Sequence, residues 1–234
     1  MFNSKPVISR LPIYDDQICL VIDDVLLNPT AWVAEAVARR DQFQAAGVNA
    51  YPGIELAMPL EITQALVDFF ALYVNRHFGI RRIHSSHSRL ALVTQPPDTL
   101  QPRQCICHRD GVNVAAANRM LASVVYLQTE DLGGTSFYRP RRSPQETAQL
   151  IHDSAVMPMD SFTQKYGIAR GYLTESNDWF EKVASVPAKF NRMIAYDGMV
   201  FHSGDIHQPE RMSADPATGR LSLNGFFTGR RRLA

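Results

Sequence analysis

A chain of 234 residues with 45% apolar content can bury one sizeable core, and a β-barrel or sandwich of this length is commonly one domain, so residues 1–234 are read as a single domain. Lys and Arg total 24 against 23 Asp and Glu, which leaves no overall field to draw the protein to nucleic acid, and Arg230-Arg231-Arg232 is read as a short solvated basic end. No apolar stretch approaches the roughly eighteen residues of a membrane span, the opening segment lacks a signal-peptide pattern, and Cys19, Cys105 and Cys107 follow no disulfide-scaffold spacing, which together read as a cytoplasmic protein.

Taken along the chain, residues 18–22 (Ile-Cys-Leu-Val-Ile) predict a strand. Asn28-Pro29 then offers an N-cap followed by proline at the first helical position, with a helix expected to run to about Gly47. Leu60, Leu66, Phe69, Phe70, Tyr73 and Val74 predict a second amphipathic helix through to about Phe78, its aromatic stripe packing on a sheet. His84-Ser85-Ser86-His87 has no carboxylate at a useful step and is read as a loop or strand pair. Strands are expected near 88–95, 103–110, 122–128, 134–138, 182–186, 192–203 and 219–228, separated by Gly, Pro and Asn turns. The pattern is mainly β with flanking helices (α+β): a double-stranded β-helix, or jelly roll, at 88–228, buttressed by residues 1–87.

An insertion at about 139–180 interrupts that core. Ser143-Pro144-Gln145-Glu146 is a helix start, with Ser at the N-cap, Pro at N1 and Glu at N3, and Ala148, Leu150, Ile151 and Ala155 supply an apolar face. Because it connects strands, the insertion is expected to cover or flank a functional mouth; a surface insertion or a homodimer contact is the other use open to it.

The chemistry-bearing residues are His108-Arg109-Asp110, His202 and Arg220-Leu221-Ser222. On a strand, alternate side chains share a face, so His108 and Asp110 grip one ion while Arg109 faces away. His202 ends an apolar run at a turn and supplies a third ligand from a distant strand, completing a two-His-one-carboxylate set of the kind that holds ferrous iron on one side. His207 is the rival third ligand, in a more polar, loop-like setting. Cys105 and Cys107 fall on the face opposite His108 and have no partner Cys-x-x-Cys, which argues against zinc.

Five stretches carry a resemblance to the Fe(II)/2-oxoglutarate-dependent oxygenase superfamily, most of all to its prolyl-hydroxylase-like branch. Residues 107–111 (Cys-His-Arg-Asp-Gly) resemble the first metal motif and 124–128 (Val-Val-Tyr-Leu-Gln) the strand after it. Residues 133–137 (Gly-Gly-Thr-Ser-Phe) resemble the family's Gly-Gly-x-Thr-x-Phe turn and strand, 194–198 leading on to His202 the second metal motif, and 220–227 the last core strand with its cosubstrate-binding arginine. The resemblance implies Fe(II), 2-oxoglutarate and O2 as cofactors and a hydroxylase releasing succinate and CO2, with His108, Asp110 and His202 both catalytic and metal-binding. A guanidinium at Arg220 suits the distal carboxylate of 2-oxoglutarate. Ser222 and Asn224 share its strand face, and Tyr126 would add a phenol from the neighbouring strand. An aspartate at 110 favours hydroxylation over halogenation, which needs a vacant carboxylate position. The substrate, a small molecule or a peptidyl side chain, stays open, as do a cupin-like metal hydrolase or isomerase without 2-oxoglutarate and a catalytically silent jelly-roll binding domain.

Overall fold

In a computed structural model, residues 1–47, 51–111 and 114–232 are described. Among them the strands form two antiparallel sheets. The large sheet runs β1-β2-β9-β6-β11-β5-β4-β3 and the small one β10-β7-β8. The large sheet comprises β1 (Val7–Pro12), β2 (Ile18–Asp23), β3 (Gln44–Ala45), β4 (Gly53–Ala57), β5 (Ile80–Val93), β6 (Asn118–Tyr126), β9 (Arg192–Asp197) and β11 (Arg220–Arg231). The small sheet comprises β7 (Gly134–Pro140), β8 (Phe180–Val186) and β10 (Phe201–Asp205). The expected boundary at residues 87 and 88 falls within β5, so the N-terminal part contributes strands to the large sheet as well as helices.

The core follows from alternation along β11. Leu221, Leu223 and Phe227 point to one face and pack with Leu66, Phe69 and Phe70 of α2 (Leu60–Tyr73) in one buried cluster. The Phe70 and Phe227 rings lie 4.0 Å apart between centroids. Arg220, Ser222, Asn224 and Phe226 point to the other face and line a cavity between the sheets. Leu60, expected in the apolar stripe, is exposed; as the first residue of α2 it precedes the turn that docks.

Three expectations are corrected. The helix capped by Asn28, α1 (Pro29–Ala38), does not reach Gly47: a 3-10 turn follows at Arg40–Gln42, and Gln44 and Ala45 pair with Glu55 and Ile54. Sheet pairing there overrides helical periodicity. The run 192–203 is two strands, because the Asp197 carboxylate accepts from the Met199 amide and turns the chain from the large sheet to the small one. Residues 103–110 form no continuous strand. Pro97–Thr99 and Pro102–Gln104 are 3-10 turns, and only His108 pairs, through reciprocal 2.9 Å hydrogen bonds with His202.

The insertion folds as α3 (Pro144–Val156) and α4 (Met159–Tyr166) on the small sheet, where Leu150, Phe162 and Tyr166 join Tyr138, Phe180 and Phe201 in a second buried cluster. Ser143 and Glu146 close the expected capping box. Ala148 and Ala155 are exposed, and Thr147, Asp153 and Ser154 are buried in α3 instead. Asp153 is why a polar helix can dock: its carboxylate accepts from Gln149, from Lys165 at 2.6 Å and from the Tyr166 hydroxyl at 2.5 Å, tying α3 to α4. No helix among the described residues is long and apolar enough to cross a membrane.

Candidate metal centre

His108, Asp110 and His202 converge although 92 positions of chain separate His202 from Asp110. One ligand atom from each lies within 4.8 Å of the others. Asp110 Oδ2 is 3.4 Å from His202 Nε2, and Asp110 Oδ1 is 3.7 Å from His108 Nε2. His202 comes from β10, His108 is bridged to it across the sheet edge, and the Asp110 amide donates to the Gly198 carbonyl at 2.8 Å. Arg109, expected to face away, lies over the Phe201 ring, 4.7 Å from its centroid, and also contributes to the lining of the cavity beside the triad. The His-x-Asp step therefore works without a continuous strand: one bridge pair and one amide bond fix the two side chains.

The hydrogen-bonding state suits a cation. His202 Nδ1 lies 2.9 Å from the Val200 carbonyl, which can only accept, so Nδ1 carries the proton and Nε2 presents its lone pair toward Asp110. Asp110 Oδ2 is buried without a hydrogen-bond partner. Burial pushes Asp110 up to about 6 and both histidines down to about 4, the His108 shift being increased by His202 beside it. Desolvation thus penalises every charged form at this site, and a divalent ion would reverse that penalty for the carboxylate.

The triad opens on a cavity of about 590 Å³. At its floor Arg220 donates from Nε to the Gly133 carbonyl at 3.1 Å and from Nη2 to the Gly134 carbonyl at 2.6 Å, which orients the buried guanidinium at the cavity wall. Ser222 also lines the wall, as does Tyr51, whose phenol burial pushes up to about 12. Tyr126 is fully buried and donates to Thr135 Oγ1 at 2.8 Å, so it reaches the cavity through Thr135, which lines it. Asn224 lines the cavity two positions beyond Ser222. His207 is exposed and pairs with Asp205 at 3.1 Å, outside the triad.

Sequence reasoning missed Tyr51, His87, Arg89, Tyr172 and Tyr196, all of which line the cavity. His87 and Arg89 carried a signal: they alternate on one strand and meet Phe226 and Asn224 across the β5–β11 register. From the insertion, Ile151, Ser154 and Ala155 reach the same cavity.

A family model described as a family of unknown function (DUF6445) matches residues 4–227. No curated protein matches. Among solved structures, the chain is similar to the non-heme alpha-ketoglutarate-dependent carbocyclase SnoK from nogalamycin biosynthesis, at 16% identity over 94% of this chain and 84% of that one, with a TM-score of 0.50. It is also similar to the collagen prolyl hydroxylase vCPH of Paramecium Bursaria Chlorella virus-1, solved with 2OG, at 10% identity, 91% and 95% coverage and a TM-score of 0.46. HygX from Streptomyces hygroscopicus, solved with iron bound, matches at 13% identity, 91% and 82% coverage and a TM-score of 0.47. The SnoK likeness shows the fold: this chain is a double-stranded β-helix with flanking helices.

Proposed function

The chain belongs to the family of unknown function DUF6445, and from its own site we propose that it is an Fe(II)- and 2-oxoglutarate-dependent dioxygenase of the prolyl-hydroxylase-like type. It would hydroxylate an unactivated C–H bond of a small molecule or peptidyl side chain, with release of succinate and CO2. The observation that carries the reading is the set of His108, Asp110 and His202 ligand atoms within 4.8 Å of one another, with His202 held in the tautomer that leaves Nε2 unprotonated. Three ligands on one side of an ion leave its other positions open. When bound, iron and 2-oxoglutarate together supply the oxidising power for attack on a C–H bond.

The chain's own residues position and enclose. His108, Asp110 and His202 hold the ion. Arg220, aimed by the Gly133 and Gly134 carbonyls, takes the distal carboxylate of 2-oxoglutarate, with the Ser222 hydroxyl beside it and Tyr126 supporting through Thr135. A carboxylate buried there is compensated only by such donors. Tyr196, whose ring centroid lies 4.7 Å from that of His202, packs against this ligand and limits its rotation. The α3 residues at the cavity wall would help to exclude water and select substrate.

An anaerobic titration with Fe(II) and 2-oxoglutarate tests the reading, monitored by the visible metal-to-ligand charge-transfer band. Wild type develops the band and His202→Ala does not. A wild-type protein that binds the metal yet never develops the band is not an enzyme of this kind.

A further inference from the structure

Asn224 and Arg89 face each other across the β11–β5 pair and both line the cavity that holds the triad. Each presents a buried polar atom without a hydrogen-bond partner: Oδ1 of Asn224 and Nε of Arg89. Asn224 is only 7% exposed. One side of the Arg89 guanidinium is already committed, with Nη1 on Glu55 Oε2 at 2.8 Å, and its plane packs over the Phe226 ring, 4.9 Å from the centroid. An orphaned acceptor beside an orphaned donor, in the wall of a cavity, is complementary to a ligand group that donates and accepts at neighbouring atoms.

We propose that Arg89 and Asn224 form the recognition site for a neutral amide group of the primary substrate. This rests on the functional reading above only in calling that molecule the substrate. Asn224 thereby leaves the cosubstrate role that the sequence resemblance implied. Its Cα lies four strand positions from Arg220, on the order of 13 Å along β11, and the Arg220 head is drawn away toward the small-sheet turn by Gly133 and Gly134. The amide is selected over a carboxylate by charge. Glu55 already balances Arg89, so an incoming anion would compete with Glu55 and leave Asn224 Oδ1 facing negative charge. An amide C=O accepts from Arg89 Nε while its N–H donates to Asn224 Oδ1. Beside them Phe226 stacks on His87 at 4.7 Å and 16°, an aromatic wall for the flat group that carries the amide.

Benzamide, N-methylbenzamide and benzoate share one ring and differ in this group, so they serve as probes. Each is titrated into the anaerobic Fe(II)·2-oxoglutarate protein and into metal-free protein, with binding read by calorimetry or saturation-transfer NMR. The expected result is saturable binding of an amide and at least tenfold weaker binding of benzoate. Asn224→Leu and Arg89→Lys should each weaken the amide at least tenfold; the lysine keeps a cation for Glu55 but removes the Nε donor. Circular dichroism reports whether each variant folds, and the benzoate comparison needs no variant. Preference for benzamide over its N-methyl form points to a free small-molecule carboxamide, and acceptance of both to a peptide amide. Benzoate binding as tightly as the amides, no amide binding, or amide affinity unchanged in both folded variants overturns the proposal. Amide binding in a protein that forms no charge-transfer band would sink the cofactor reading and leave this one standing.

Discussion

Asp110 Oδ2 and His202 Nε2 approach to 3.4 Å, and Asp110 Oδ2 is buried with no hydrogen-bond partner among the described residues. A divalent ion binding the folded but not the unfolded chain should raise the melting temperature in a concentration-dependent way. Asp110→Asn removes the anionic ligand while keeping the side chain's volume. Affinity should drop by at least the roughly 10- to 100-fold that loss of a supporting shell costs at metal sites. Thermal melts with Fe(II) or Mn(II), and with chelator added, check this; an unchanged metal-induced shift in Asp110→Asn would remove the carboxylate from the ligand set.

Arg220 is charged, buried and oriented by two backbone carbonyls, so its role separates cleanly from that of the triad. Arg220→Lys retains the charge but loses the planar fork, and 2-oxoglutarate affinity should weaken roughly tenfold or more. Metal affinity should stay near wild type. Paired titrations of metal alone and of 2-oxoglutarate at saturating metal distinguish the two, and equal weakening of both would mean that the guanidinium serves the fold instead.

How much of this was legible follows from distance along the chain. The step of two from Arg220 to Ser222 to Asn224 is a local property of a strand, and the three side chains do share the cavity face. His108 and Asp110 were legible as ligand types, yet they are held by a bridge to His202 and an amide bond to Gly198 rather than by a strand of their own. Arg89 left only the local mark of a step of two from His87; that it faces Asn224 follows from the pairing of β5 with β11, which no local pattern records. Tyr51 was not legible, because it lies before β4 and reaches the cavity only in the folded chain. The early end of α1 has the same cause, since a two-residue pairing with β4 decides against a helix that the local pattern would have continued.

Asp153 should govern the acid behaviour of the insertion. Hydrogen bonds from Lys165, Tyr166 and Gln149 hold its carboxyl down at about 2, below the ordinary 3.8. A depressed carboxyl stabilises the fold fully above the unfolded value, and that stabilisation is lost as pH falls from 3.8 toward about 2. Asp153→Asn removes this component, so the gap in stability between wild type and variant should narrow across that interval. Limited proteolysis within 144–176, followed against pH, is the measurement; a gap that stays constant with pH would assign the helix pairing to apolar contacts alone.

Gly134 links the turn to the Arg220 end of the cavity. A Cβ at this position would meet the Val186 carbonyl oxygen at 2.0 Å, a backbone atom of the paired strand that cannot swing aside, and the neighbouring Gly133 has a φ of +92°. Gly134→Ala must therefore shift β7 against β8, at a cost of about 1–3 kcal/mol for an overpacked site. The same shift moves the Gly134 carbonyl that accepts from Arg220 Nη2, so the variant should lose 2-oxoglutarate affinity out of proportion to its metal affinity, although residue 134 supplies no side chain to either. Denaturant unfolding gives the first effect and charge-transfer titration the second. A variant destabilised as expected but binding 2-oxoglutarate as wild type does would show that the guanidinium keeps its aim without the turn.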